Sequence, residues 1–194
     1  MIINYRQAVP MVRSYTHITS IQSDGNQYID TGFKPNSNTR VVMDVEALAS
    51  SVVGYFGVRT GMSSTAYVFW VIGETEVRSD YGNEQKSFSV PSVLTRVTID
   101  KNKNLCYFGD YLVSNSAAEF SCTNNLLLLT VVSGDEVDER KMAAKLYSCK
   151  IYDNGLLIRD YIPVKDDNGQ IGLYDLVNEQ FYANAGTGSF TEGT

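Results

Sequence analysis

Apolar and polar residues alternate along most of this chain with a period of two. In residues 39–47, Val41, Met43 and Val45 fall on one side, and Arg40, Val42, Asp44 and Glu46 on the other. That spacing predicts a strand with one buried face, because successive side chains of a strand point to opposite sides of its sheet. Residues 145–151 repeat the pattern, with Leu146, Ser148 and Lys150 opposed to Tyr147, Cys149 and Ile151. Asp153-Asn154-Gly155 then predicts a tight reversal, since Asn and Gly accept positive φ. A second apolar strand follows over residues 156–164, where Pro163 marks an edge or an exit. Further strands are expected at residues 52–58, 66–72, 85–90, 95–99, 105–108 and 112–114. Gly54 and Gly57 suit a bend or bulge in the first of these. Residues 125–132 carry four consecutive leucines and predict a central strand buried on both faces. Asp80-Tyr81-Gly82-Asn83 and Asp166-Asp167-Asn168-Gly169 predict turns. Helical periodicity is confined to about one turn near residues 139–145. Short strands at this spacing predict an all-β, antiparallel two-sheet sandwich.

The C-terminal part of the chain carries the densest motif. S-C-K-I-Y-D-N-G-L-L-I-R-D-Y-I-P over residues 148–163 is followed by G-L-Y-D-L-V-N-E-Q-F-Y-A-N-A-G-T-G-S-F over residues 172–190. This run resembles the closing signature of laminin-G-like, concanavalin-A-type jelly rolls found in phage, prophage and gut-bacterial surface proteins. Residues 21–33 resemble the opening strands of the same fold more weakly. The resemblance implies a jelly-roll sandwich over residues 20–194 and an arm or attachment segment over residues 1–19. That fold serves lectins, glycanases, adhesion modules and passive shell proteins alike, so function has to come from a site.

Composition narrows the classes. A chain of 194 residues suits one domain with a real core. The net charge of -6 and pI near 4.8 argue against nucleic acid as a main partner, because phosphate binding needs a basic face. No apolar run is long enough to span a membrane. Residues 1–6 lack the basic-then-apolar order of a secretory signal. The three cysteines, Cys106, Cys122 and Cys149, form no C-x-x-C, and with His17 as the single histidine they give no zinc pattern. They read as buried apolar side chains, with a Cys106–Cys122 pair as the alternative.

Catalytic signals are poor. Glycanases of this fold place carboxylates at i, i+2 and i+4 of one strand, whereas Glu136, Asp138 and Arg140 occupy those positions here and Glu139 points away. No nucleophile elbow is present. His17 lies in the expected arm, a poor place to hold a triad. Calcium, which the resemblance raises as a candidate ligand, would fall to the densest acidic turn: Asp166, Asp167 and Asn168. For a sugar, the candidate set is Asp80, Tyr81 and Asn83, an aromatic beside hydrogen-bonding groups in a turn, with Trp70 as a further platform. The expectation is therefore a non-enzymatic phage virion surface protein, a capsid decoration, fibre or tail component made in the host cytoplasm. It would join other virion subunits through residues 1–19 and present a lectin-like module to a cell-surface glycan, singly or as a homo-oligomer. The second reading is a carbohydrate-binding or adhesion module of the bacterial cell surface.

Overall fold

The computed structural model describes residues 14–60, 65–134 and 136–193. Most of the expected arm lies outside the described residues. The strands, in chain order, are β1 (Tyr15–His17), β2 (Ile21–Asp24), β3 (Ile29–Asp30), β4 (Thr39–Ala47), β5 (Val53–Arg59), β6 (Ala66–Gly73), β7 (Glu76–Gly82), β8 (Glu84–Ser89), β9 (Arg96–Asn102) and β10 (Leu105–Phe108). They continue with β11 (Tyr111–Ser114), β12 (Leu127–Leu128), β13 (Val132–Ser133), β14 (Glu136–Val137), β15 (Ala143–Asp153), β16 (Leu156–Asp166), β17 (Ile171–Asp175), β18 (Gln180–Tyr182) and β19 (Thr191–Glu192).

One sheet runs β11-β10-β9-β4-β15-β16-β17-β18, with β1 beside β16 and β2 between β15 and β19. The other runs β14-β13-β5-β6-β7-β8, with β12 joined to β5 and β3. The pairings are antiparallel except for β5 with β13. The two sheets pack face to face as a β-sandwich, with no helix among the described residues. The fold class read from the alternation is the one observed. Val41, Met43 and Val45 of β4 are fully buried against Tyr55, Phe56, Tyr67 and Phe69 of the opposite sheet. The rings of Tyr55, Phe69 and Phe108 cluster in that interior with centroids 5.6–6.2 Å apart.

Four expectations need correction. β15 shifts register between Leu146 and Ser148, so one extra residue lets Leu146, Cys149 and Ile151 all face the core. Strict alternation had set Leu146 opposite the other two. The leucine run is buried as expected, yet only Leu127–Leu128 is a strand. Leu129 adopts φ 66°, and Leu126 and Leu129 donate their amides to Phe33 O and Tyr55 O instead of to a ladder. Apolarity demanded burial, and a short irregular plug met that demand. Asp80 and Tyr81 lie inside β7, leaving Asn83 alone in the reversal. Finally, residues 15–17 belong to the sheet. Tyr15–His17 pairs with Val164–Asp166, and the Tyr15 ring packs on Tyr174 and Phe181 at 4.8 and 5.5 Å. Of the proposed arm, this end is docked.

One core position breaks the rule of apolar interiors. Lys101 follows Val97 and Ile99 on the inward face of β9 and is fully buried. Its ammonium donates to Ser79 Oγ and faces the Tyr67 and Tyr81 rings at 5.1 and 5.8 Å. Burial pushes its pKa below the ordinary lysine value, against the opposing pull of Cys106 and Asp80. Among the described residues no carboxylate bonds to the ammonium in compensation. Lys101→Met is therefore expected to leave stability unchanged or raise it by about 1–4 kcal/mol. Chemical denaturation measures this, and a clear loss of stability would show that the ammonium is a net stabiliser.

Candidate functional site

Three turns rich in asparagine meet at one end of the sandwich: residues 36–38 before β4, residues 102–104 between β9 and β10, and residues 153–155 between β15 and β16. The register explains their meeting. Arg40 pairs with Asn102 on β9 and with Tyr152 on β15, so these three side chains form a row across adjacent strands. Arg40 lies over the Tyr152 ring at 5.3 Å and is held by a two-pronged bond to Asp100, Nε to Oδ1 at 2.8 Å and Nη2 to Oδ2 at 2.6 Å. Those bonds raise the guanidinium pKa further above its ordinary value.

Beyond that row opens a cleft of about 370 Å³, lined by Asn38, Arg40, Asn102, Lys103, Tyr152, Asn154 and Gly155. A second cleft of about 400 Å³ adjoins it, lined by Asn36, Ser37, Asn38, Glu119, Phe120, Ser121 and Asn154. Asn38 and Asn154 border both. The walls are fixed from below. Asn36 donates to Asp153 Oδ1 at 2.8 Å, tying two of the turns, and Lys103 N donates to Thr39 O at 3.0 Å, tying the third. Two tyrosines of the opposite sheet reach through the core to this end. Tyr67 OH donates to Lys101 O at 2.7 Å, and Tyr81 OH to Ser37 O at 2.7 Å. By contrast, the side-chain amides of Asn38 and Asn102 make no hydrogen bond to the described residues. Each offers two donors and an acceptor toward the cleft. A shallow, polar, preformed surface with a tyrosine wall can hold a hydroxyl-rich ring through amide bonds and apolar contact.

The residues singled out from sequence have other positions. Trp70 and Asp80 do come together: Trp70 Nε1 donates to Asp80 Oδ2 at 2.9 Å on the outer face of the β5–β8 sheet. Both are buried, however, Trp70 at 1% exposure and Asp80 at 0%. Arg59, Arg78 and Arg140 close over the indole at 5.0–5.5 Å, and Arg59 and Arg78 pair with Asp80. Tyr81 points the opposite way, into the core, at 3% exposure. Its role is to support Ser37 beneath the second cleft. Asn83 stands exposed and apart.

The acidic turn behaves as a structural turn. Asp166 Oδ1 accepts from Asn168 N at 2.9 Å and Gln170 N at 2.8 Å, capping its own reversal. The Asp167 carboxylate accepts from Ser14 N and Ser14 Oγ, which holds its pKa below the ordinary carboxylate value. Among the described residues no group of three His, Cys, Asp or Glu side chains is placed to hold a metal ion. In the former catalytic candidate, Glu136 is exposed on β14. Burial pushes Asp138 up, but its bonds to Arg140 at 2.8 and 2.6 Å and the charges of Arg140 and Arg59 prevail and hold it low. All three cysteines are free and buried, so Cys106 and Cys122 are not paired.

No protein-family model matches the sequence, and neither does any curated protein. The sequence does not disclose the end clefts, because nothing in it places residues 36–38, 102–104 and 153–155 side by side. Their shared asparagine content was visible; their convergence depends on strand order.

Proposed function

We propose that this protein is a non-enzymatic attachment module that binds a cell-surface glycan at the asparagine-lined end of its sandwich. The observation that carries the reading is the pair of side-chain amides, Asn38 and Asn102, which have no partner among the described residues and line a cleft walled by Tyr152 and Arg40. Among the described residues Glu119 is the one carboxylate lining either cleft, whereas glycoside hydrolysis takes two acting together. The motif of residues 148–190 supports placing the module on the surface of a phage particle. There the segment preceding β1 would join it to other virion subunits. A protein made in the host cytoplasm suits free, buried thiols.

The test uses the full chain and a Tyr152→Ala/Asn102→Ala variant whose melting matches the parent. Parent binding to host cells is expected to be competed by free sugars, and the variant to lose tenfold or more in affinity, which is about 1.4 kcal/mol. Equal binding by the variant would remove the cleft from consideration. Release of reducing sugar from the bound surface would show an enzyme instead.

A further inference from the structure

We infer that the ligand is a linear oligosaccharide of at least two rings, lying across the ridge formed by Asn38 and Asn154 with one ring in each cleft. The inference rests on the glycan reading above and goes to the size and shape of what is bound.

The two clefts are comparable in volume, about 370 and 400 Å³, and they share Asn38 and Asn154. They therefore adjoin across these two residues, and a chain that crosses Asn38 and Asn154 can occupy both as one trough. Each side of the divide has its own aromatic wall, Tyr152 on one and Phe120 on the other. A sugar ring presents an apolar C–H face that packs on such a wall, so the trough offers two packing positions and not one. The divide itself is polar. The Asn38 amide has no partner among the described residues, and Asn154 spends one donor on Asp153 Oδ1 at 3.1 Å and keeps its carbonyl oxygen free. Those groups can donate to and accept from the hydroxyls that flank a glycosidic linkage crossing the divide.

The trough is also held rigid across the divide. Asn36 bonds to Asp153, Ser37 N donates to Phe120 O at 3.0 Å, and Tyr81 packs edge-on against Phe120 at 4.9 Å between centroids. A rigid pair of subsites spares the cost of ordering each one separately. The second ring of a dimer then binds as an intramolecular event. The two ends differ in charge, with Lys103 at one and Glu119 at the other, Arg40 being paired with Asp100. A chain lying in the trough would thus have a preferred direction.

The experiment is a titration of the isotopically labelled full chain followed by NMR. The probes are the monomer, dimer and trimer of β-1,4-linked glucose, of β-1,4-linked N-acetylglucosamine and of α-1,4-linked galacturonic acid. In the series that binds, the dimer is expected to bind at least tenfold tighter than the monomer. It should shift the Tyr152 and Phe120 ring signals together, along with the side-chain amides of Asn38 and Asn154. Ser121→Arg, an exposed substitution that fills the Phe120 cleft, is expected to lower dimer affinity at least tenfold. Phe120→Ala repeats the test by removing the wall. Equal affinity for monomer and trimer, with shifts confined to the Tyr152 cleft, would overturn the two-ring inference and leave the glycan reading standing. Dimer affinity unchanged by Ser121→Arg would overturn it in the same way. An absence of shifts in either cleft across all three series would overturn the glycan reading itself.

Discussion

Replacing Asp80 by alanine is expected to lower the stability of the sandwich by about 3–5 kcal/mol, the largest effect of any single substitution on the outer face of the β5–β8 sheet. The carboxylate is fully buried, while its partners Arg59 and Arg78 retain 11% and 25% exposure. Arg78 Nε stands 3.0 Å from Asp80 Oδ1 without hydrogen-bond alignment, so this contact is ionic. Trp70 adds its indole N–H to the other oxygen. Removing the carboxylate leaves two guanidinium groups in a poorly solvated place, close to each other, with Asp138 as the remaining nearby anion and that one already bonded to Arg140. It also orphans a buried indole donor, and a buried group left unpaired carries its full desolvation cost. A loss of that size is a large share of the 5–15 kcal/mol typical of a domain. Asp80→Asn keeps an acceptor for Trp70 but not the charge, so it should fall between parent and alanine variant. Urea denaturation measures both. An Asp80→Ala midpoint within about 1 kcal/mol of the parent would show that solvent or local movement relieves the arginines.

That cluster shows what a sequence can and cannot disclose. Trp70 attracts attention as an indole in an apolar strand and Asp80 as an acid in a predicted turn. The sequence does not say that Val68 pairs with Asp80 and Trp70 with Arg78, which places both side chains on one face under three arginines. Arg140 reaches the same indole from a loop far along the chain, and periodicity carries no information about such a contact. Strands whose alternation is unbroken, such as β4, were legible residue by residue. Those that carry an irregularity were not. Gly54 announces its bulge, since an added Cβ would meet the Val131 side chain, whereas the slip near Tyr147 has no glycine to mark it. The leucines at 126–129 were legible as core and illegible as backbone, because burial is set by composition and the path by tertiary hydrogen bonds. The end clefts were legible only as three separate turns.

Raising the pH above 9 is expected to destabilise the protein progressively. Burial pushes the thiols of Cys106 and Cys122 from an ordinary value of 9.0 up to about 12, and raises that of Cys149 as well. It likewise raises Tyr55, Tyr67 and Tyr161 above the ordinary 10.0. In each of these groups the protonated form is neutral, and the folded state holds the proton to higher pH than the unfolded chain does. Their contribution is complete below the unfolded value and is lost as pH rises toward the folded one. The decline should begin near pH 9 with the thiols and steepen near pH 10 with the phenols. A Cys106→Ala/Cys149→Ala variant should postpone its onset. Lys101 acts with the opposite sign. Its folded pKa is lowered, so between that value and the ordinary 10.5 the unfolded chain binds the extra proton and stability rises with pH. Lys101→Met should therefore make the alkaline decline steeper even while it stabilises the protein at neutral pH. Denaturation midpoints from pH 7 to 11 for the parent and both variants measure the two terms separately. A midpoint that stays level across that range in the Lys101→Met variant would mean that the buried thiols and phenols exchange protons as freely as in the unfolded chain.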